Sequence, residues 1–428
     1  MVSLLREVAE SFPDKRTGAN RHFSMCDITL AAFSVFFTQS ESFLDFQRQI
    51  GRKNGRHNLA SLFGVADVPS DNHIRSMLDE VEALRVYPVF GRILDELQSC
   101  GELDRWRSVG NDIVLTVDGT EYFRSQKIHC SRCHVSNHTS GMVDYSHKLL
   151  SPAIVKPGES RAIALAPEFI RGEDGERKAE GELSAAKRWV RTNGERLSPL
   201  GVTVCGDDIY ASGPFLRLLR EYEMNFVCVC KPQSHKYLTE YIASLEAEGE
   251  IERCTESVRY RGRKRTVSYR WIADVPLSAE ADAPIVDWVE VRIKEDSGRQ
   301  VYANSFVTNH RVTADTVAEV VAAGRARWKV ENEDINTLKT KGYHLEHNFG
   351  HGKKNLCETL ATLNILAFLM HTILDLYDQR YALLRQERGR RTRFFQELGT
   401  LTGYIYFPNW QAVLIFMIEQ LELPDPGG

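Results

Sequence analysis

The chain has no surplus of positive charge. Its 54 Lys and Arg are outnumbered by 58 Asp and Glu, for a formal net charge of −4. A globally basic surface is therefore excluded, and any nucleic-acid partner must be met by local patches. There is no internal repeat and no low-complexity segment. Residues 1–15 are charged and lack an apolar run of signal-peptide type. The nine cysteines are an odd number in a long chain, and only one CxxC pair is present. These features predict a reduced, cytoplasmic protein and argue against a disulfide-framed secreted one. No long apolar run is free of polar groups. The most apolar stretch, Leu356–Tyr377, contains Glu358, Asn364, His371 and Asp375, which predicts a buried helix and no membrane span.

What is present is ordinary globular composition, 43% apolar and 26% charged over 428 residues, enough for two or three domains. Residues 1–108 read as helical. Asp27 caps a helix over ITLAAFSVFFTQSESFL, apolar nearly all round. The stretch GRKNGRHN reads as a loop whose Arg52, Lys53 and Arg56 either grip phosphates or form a solvated face. Ile74, Met77, Leu78, Val81 and Leu84 share a helical face, and Pro88 stops that run.

The pattern changes after residue 108. IVLTVDG is a β-branched run ending at Asp118 and Gly119. SHKLLSPAIVKP and RAIALAP are further strands. Residues 176–196 form an amphipathic helix with Ala179, Leu183, Ala186 and Val190 on one face. GVTVCGDD, a helix over 214–222 and the strand NFVCVCKP follow. Strands alternating with helices predict an α/β core with a mixed sheet over 109–231 and 301–377. Between its two parts, residues 232–300 read as a β-rich insertion. Residues 378–428 read as a basic helical tail.

Asp118 and Asp207 share a context: each ends an apolar strand. A strand-end aspartate in an α/β fold lies where ligands bind, although either one alone also reads as a turn former. Asp207 follows its strand directly and is preferred over Asp208. Glu331 lies in the Arg/Lys-rich segment 324–352. Arg327 is four residues before it, one helical turn away, and Lys339 lies two turns on, both suited to holding a DNA phosphate. Three carboxylates from two strands and one helix make a cradle for two divalent metals, an arrangement suited to phosphoryl transfer.

A second group is IHCSRCHVSNH. Its Cys130, Cys133, His134 and His138 have zinc-ligand chemistry, although no second CxxC accompanies them. His344, His347 and His351 either contact phosphate, complete the cysteine site or are plain loop residues. Arg261, Arg263, Lys264 and Arg265, beside Tyr260 and Tyr269, form one basic cluster; Arg390 and Arg391 belong to another. Both suit contacts with a DNA backbone.

The order Asp118, Asp207, β insertion, Arg327, Glu331 and Lys339 resembles DDE-class insertion-sequence transposases with an RNase H-like catalytic domain, over residues 110–375. The separations, 89 and 124 residues, are similar to that family's. Arg327 and Glu331 match its motif. Gly324 stands where the family has tyrosine, and Lys339 is one residue beyond the family's lysine. The resemblance implies an RNase H-like mixed-sheet core interrupted by a β-rich insertion, with a helical, DNA-binding N-terminal domain and a helical C-terminal tail. It implies that Asp118, Asp207 and Glu331 hold two Mg²⁺ or Mn²⁺. It also implies cleavage of double-stranded DNA at transposon inverted-repeat ends, joining of the 3′-OH to target DNA, and action as a homodimer with no membrane partner. A nuclease that never joins, or a binding protein that has lost catalysis, remains an alternative from the sequence.

Overall fold

The computed structural model describes residues 2–18, 21–172 and 180–427. Six helices come first: α1 (Val2–Ala9), α2 (Met25–Phe37), α3 (Phe43–Ile50), α4 (Lys53–Phe63), α5 (Asp71–Leu78) and α6 (Tyr87–Ser99). Seven strands follow: β1 (Ile113–Thr116), β2 (Gly119–Ser125), β3 (His134–Asn137), β4 (Val143–Leu150), β5 (Ala153–Val155), β6 (Ile163–Ala164) and β7 (Glu168–Ile170). Then come α7 (Glu182–Leu197), β8 (Val202–Gly206), α8 (Gly213–Glu221), β9 (Asn225–Val229) and α9 (Lys236–Glu248). Four more strands follow: β10 (Glu252–Tyr260), β11 (Arg263–Pro276), β12 (Ile285–Glu295) and β13 (Gln300–Thr308). The chain closes with α10 (Val317–Ala326), a π-helical turn over Val330–Ile335, α11 (Asn336–Thr340), α12 (Leu356–Tyr377), α13 (Gln379–Arg388), α14 (Arg391–Tyr404) and α15 (Trp410–Gln420).

The fold is mixed α/β, built on a nine-stranded mixed sheet ordered β10-β11-β12-β13-β9-β8-β1-β5-β6. Its centre is three parallel strands, β1, β8 and β9. Their sequences, IVLT, VTVCG and NFVCV, are almost wholly buried, as expected where helices cover both faces of a parallel sheet. Alternate residues serve two cores. Leu115, Val204 and Phe226 face one side, with α7, α8 and α12. Val114, Cys205 and Val227 face the other, with Val317, Val320 and Val321 of α10. A hydrogen-bonded aspartate fixes the register at the amino ends: Asp112 Oδ2 accepts from Thr203 Oγ1 and from Asn225 Nδ2, each at 2.8 Å. A second sheet, β2-β4-β3 with β7 on β4, stands beside the first.

Residues 232–300 extend the central sheet through β10, β11 and β12; they also contain α9, which the β-type reading of this region lacks. Other local expectations change. The cap of α2 is Ser24, and Asp27 completes its capping box from the third position. GRKNGRHN is no loop: Lys53 opens α4, so Lys53 and Arg56 stand on a helix. The run from Ile74 ends at Leu78, leaving Leu84 exposed, and Pro88 sits in the first turn of α6. The helix expected at 176 begins at Glu182, and residues 173–179 lie outside the described residues.

Among the described residues, α12 is the one helix long and apolar enough to cross a membrane, and 78% of its apolar window is buried inside the protein. It packs on α2, and Thr359 Oγ1 donates to Val81 O at 2.6 Å. Asn58 of α4 reaches the C-terminal helices, its Nδ2 donating to Ile405 O at 2.7 Å. The first helices, α12 and the C-terminal helices thus share one apolar core.

The entry to α12 is capped from a distance. Asp79 Oδ1 accepts from the backbone N–H groups of Lys353, Lys354, Asn355 and Leu356, at 3.0–3.2 Å. Burial alone raises the pKa of Asp79, but these four donors outweigh it and lower the pKa. A carboxyl with a lowered folded pKa contributes stability above its unfolded value, near 4, and loses it as pH falls. Asp79→Asn is therefore expected to cost about 1–2 kcal/mol at pH 7. Thermal melts should show the gap to wild type closing as pH drops below about 4.

Candidate active site and metal centre

The parallel ladder pairs Thr116 with Cys205, and Val117 N donates to Cys205 O at 3.3 Å. Continuing that register sets Asp118 opposite Asp207 at the carboxyl ends of neighbouring strands, about 5 Å apart in backbone. Both run straight out of buried strands, so neither can retreat into a core. Burial pushes the Asp118 carboxyl up to about 6; Arg327 opposes this, and the charges of Glu182, Asp207 and Glu331 add to it. Asp207 and Glu331, the other members of the expected triad, are near enough for their charges to act on Asp118. Asp207 Oδ1 accepts from Ile209 N at 2.9 Å. Asp208 turns elsewhere: Ser234 Oγ donates to its carboxylate, and His235 Nε2 lies at 3.6 Å.

Glu331 stands exposed on the π-helical turn that follows α10. Arg327, one turn before Glu331, faces Asp118. Arg327 Nη1 lies 3.4 Å from Asp118 Oδ2. Gly324 shows why tyrosine is absent here. A Cβ at this position would meet Phe306 Cε1 at 2.7 Å and Val227 Cγ1 at 3.0 Å, so α10 lies too close to the sheet for a side chain. Lys339 is engaged within the chain: its Nζ donates to Glu121 O at 2.8 Å and pairs with Glu346.

Glu182 is a fourth carboxylate that the sequence pattern does not single out. It opens α7, and its Oε1 accepts from Gly119 N at 3.1 Å and from the Tyr210 hydroxyl at 2.6 Å. A Cβ at Gly119 would collide with Glu182 Oε2, so only glycine admits this approach. Asp334 is likewise unmarked in the sequence. It is fully buried, pushed up to about 7 by that burial. Ser151 Oγ donates to it at 2.7 Å, and Ser151 N donates to Asp118 O at 2.9 Å. Ser151 thus ties the turn bearing Glu331 to the backbone of Asp118.

The basic residues are spread more widely. Arg261, Arg263 and Lys264 are exposed at the β10–β11 hairpin tip, while Arg265 pairs with Glu295 and stacks on Tyr260 at 4.3 Å. Arg52 stacks on Tyr404 at 4.3 Å, and Lys53 is exposed. Arg390 is exposed; Arg391 Nη1 donates to the Tyr343 hydroxyl at 2.8 Å.

A metal-binding cluster lies beside the second sheet, and its histidines differ from the expected ones. Cys130, Cys133, His147 and His351 bring four ligand atoms within 4.8 Å of one another. The sulfurs are 3.9 Å apart. His147 Nε2 is 3.4 Å from each sulfur, and His351 Nε2 is 3.5 Å from Cys133. A tetrahedral zinc ion with ordinary bond lengths sets its ligands roughly 3.4–3.8 Å apart, so this donor set fits a metal ion such as zinc. Hydrogen bonding from Cys133, with His147 and His351 adjacent, holds the Cys130 thiol well below its ordinary range. His134 and His138 are not ligands. The His134 ring bonds Ile170 O of β7 at 2.9 Å, and His138 pairs with Asp144 at 2.9 Å. Strand pairing explains the exchange: β4 lies between β2 and β3, with His147 opposite Phe123. His351 arrives from the loop before α12, where the Phe123 ring packs against it, tilted, with centroids 4.4 Å apart.

Metal analysis of protein purified under reducing conditions tests the ligand set. One transition-metal ion per chain is expected in wild type and in His134→Ala, and none in His147→Ala or His351→Ala. Retention by both of the latter, with loss in His134→Ala, would restore the ligands expected from sequence.

No protein-family model matches this chain, and no curated protein does.

Proposed function

We propose that this chain is a metal-dependent DNA transposase of the DDE class with an RNase H-like core. The reading rests on one observation above the rest: the β1–β8 register crowds Asp118 and Asp207 together, with Glu331 near enough to raise the Asp118 pKa. Crowded, partly buried carboxylates that are under-neutralised by protein cations favour a bound metal. The donors are all oxygens, which suits Mg²⁺ or Mn²⁺.

Asp118, Asp207 and Glu331 would hold two such ions. When bound, these activate the attacking oxygen and stabilise the leaving one in phosphoryl transfer. Arg327 holds Asp118 in place and presents the remainder of its guanidinium to a DNA phosphate. Glu182 and Tyr210 keep the β1 end and the turn after β8 together. The substrates are transposon inverted-repeat ends and target DNA, bound by a homodimer. The exposed hairpin tip with Arg261, Arg263 and Lys264, and the surface with Arg52 and Lys53, supply local basic patches on an otherwise acidic chain. Zinc at Cys130, Cys133, His147 and His351 has a structural role, because four protein ligands leave no open position for chemistry.

Glu331→Gln removes one charge at nearly constant shape. It should abolish nicking and joining of a labelled transposon end in Mg²⁺, a loss of at least about 10³-fold if that carboxylate is essential. Gel-shift affinity for the end should change little, because phosphate contacts come from Arg and Lys elsewhere. Full cleavage by this variant would remove Glu331 from the site. Loss of DNA binding with an intact fold would give Glu331 a structural role.

A further inference from the structure

A cavity of about 540 Å³ opens between α12, the α13–α14 turn and the segment after Glu331. Arg161, Lys341, Arg385, Arg390 and Arg391 line it, against only two carboxylates, Glu333 and Asp375. That is an excess of three positive charges in a partly enclosed space. Asp375 is already committed, because its Oδ2 accepts from Arg161 Nε at 2.9 Å. Arg391 bonds the Tyr343 hydroxyl. Arg385 lies over the Phe394 ring at 5.6 Å, but its Nε and Nη1 are buried with no hydrogen-bond partner. Burial and the adjacent Arg391 charge both lower its pKa. Asp375 is the one acid whose charge reaches both Arg385 and Arg391, and it is paired with Arg161. The two guanidinium charges are therefore only partly offset, and the unmet buried donors add to the cost. A doubly accepting anion removes both penalties, and a guanidinium fork fits phosphate oxygens two at a time.

The backbone points the same way. Helix α14 spans 14 residues, and its N-cap, Arg390, makes no side-chain cap. Gly389, with φ 65°, turns the chain so that α14 starts at the cavity wall, where Gly389, Arg390, Arg391 and Thr392 lie. Free N–H groups and the positive end of the helix dipole add to the guanidinium charge there.

We propose that this cavity binds a phosphate group, and that in the working complex the phosphate belongs to the DNA backbone. The second half rests on the transposase reading. The far wall carries Glu333, Thr337 and Thr340, from the same segment as Glu331. A phosphate held here therefore braces that segment from behind, and DNA docking is coupled to the placement of Glu331.

The test uses the full chain and Arg385→Gln, with Arg393→Gln as a control. Arg393 is exposed and paired with Glu397. Inorganic phosphate is expected to raise the Tm of wild type by about 2–4 °C over chloride at equal ionic strength. Arg393→Gln should keep that rise and Arg385→Gln should lose it. Without phosphate, Arg385→Gln should melt at or above wild type, since an uncompensated charge has gone. On a labelled duplex, Arg385→Gln should bind about 3–10-fold more weakly, with a log–log salt slope smaller by about one. An equal phosphate response in wild type and Arg385→Gln overturns the site. So does a lower Tm for Arg385→Gln with the response intact, which makes Arg385 a packing residue. A phosphate response lost in Arg385→Gln with duplex affinity unchanged overturns the DNA assignment and leaves a free-phosphate site. Failure of wild type to bind any duplex counts against the transposase reading, while the phosphate arm still decides the cavity.

Discussion

Two aspartates at the ends of adjacent parallel strands cannot move apart without breaking the ladder that holds them. This constraint governs the site. The ladder is fixed at its amino ends by Asp112, Thr203 and Asn225 and along its length by apolar residues on both faces. At its carboxyl ends burial raises the Asp118 pKa, Arg327 opposes this, and the charges of Glu182, Asp207 and Glu331 add to it. Ionising a carboxyl whose folded pKa is raised costs stability as pH climbs through that value. At neutral pH the ionised Asp118 is thus held against burial and neighbouring charge by the rest of the fold, a cost that the proposed divalent cation would relieve.

The third carboxylate needs a different support, because Glu331 sits on an irregular turn and not on a strand. Ser151 links Asp334 of that turn to Asp118. Lys339 ties α11 to β2, through Glu121 O. Beyond it, His351 joins the loop to the Cys130–Cys133 knuckle, and Asp79 caps the start of α12. Arg132 of that knuckle also pairs with Glu358 of α12, at 2.7 Å. Ser151, Lys339 and His351 thus tie the chain between α10 and α12 to Asp118, β2 and the Cys130–Cys133 knuckle.

Much of this is legible in the sequence where the signal is local. Short β-branched runs ending in aspartate mark both strand-end acids, because burial on two faces demands such runs. The β-rich character of 232–300 is readable from β-branched and aromatic runs separated by turns, although β10 is largely exposed. What escapes is what depends on distance along the chain or on irregular backbone. The π turn at Val330–Ile335 has no local signal, and Arg327 meets Asp118 from 209 residues away. His147 cannot be chosen as a ligand from spacing, since it reaches the cysteines through strand pairing. Glu182 is hidden because its partners, Gly119 and Tyr210, come from two other segments. GRKNGRHN looks like a loop from its two glycines; yet a Cβ at Gly55 would come within 2.8 Å of Ile50 Cα, so close packing of α4 on α3 calls for glycine there.

The proposed phosphoryl transfer requires divalent ions at Asp118, Asp207 and Glu331. Anomalous diffraction from crystals soaked in MnCl₂ above about pH 7 is the direct measurement, since Asp118 is then ionised. It should place manganese between Asp118 and Asp207, with a second ion within about 4 Å once Glu331 and a DNA end are present, and Asp207→Asn should abolish both. Manganese absent from these carboxylates while bound elsewhere in the same crystal would contradict it.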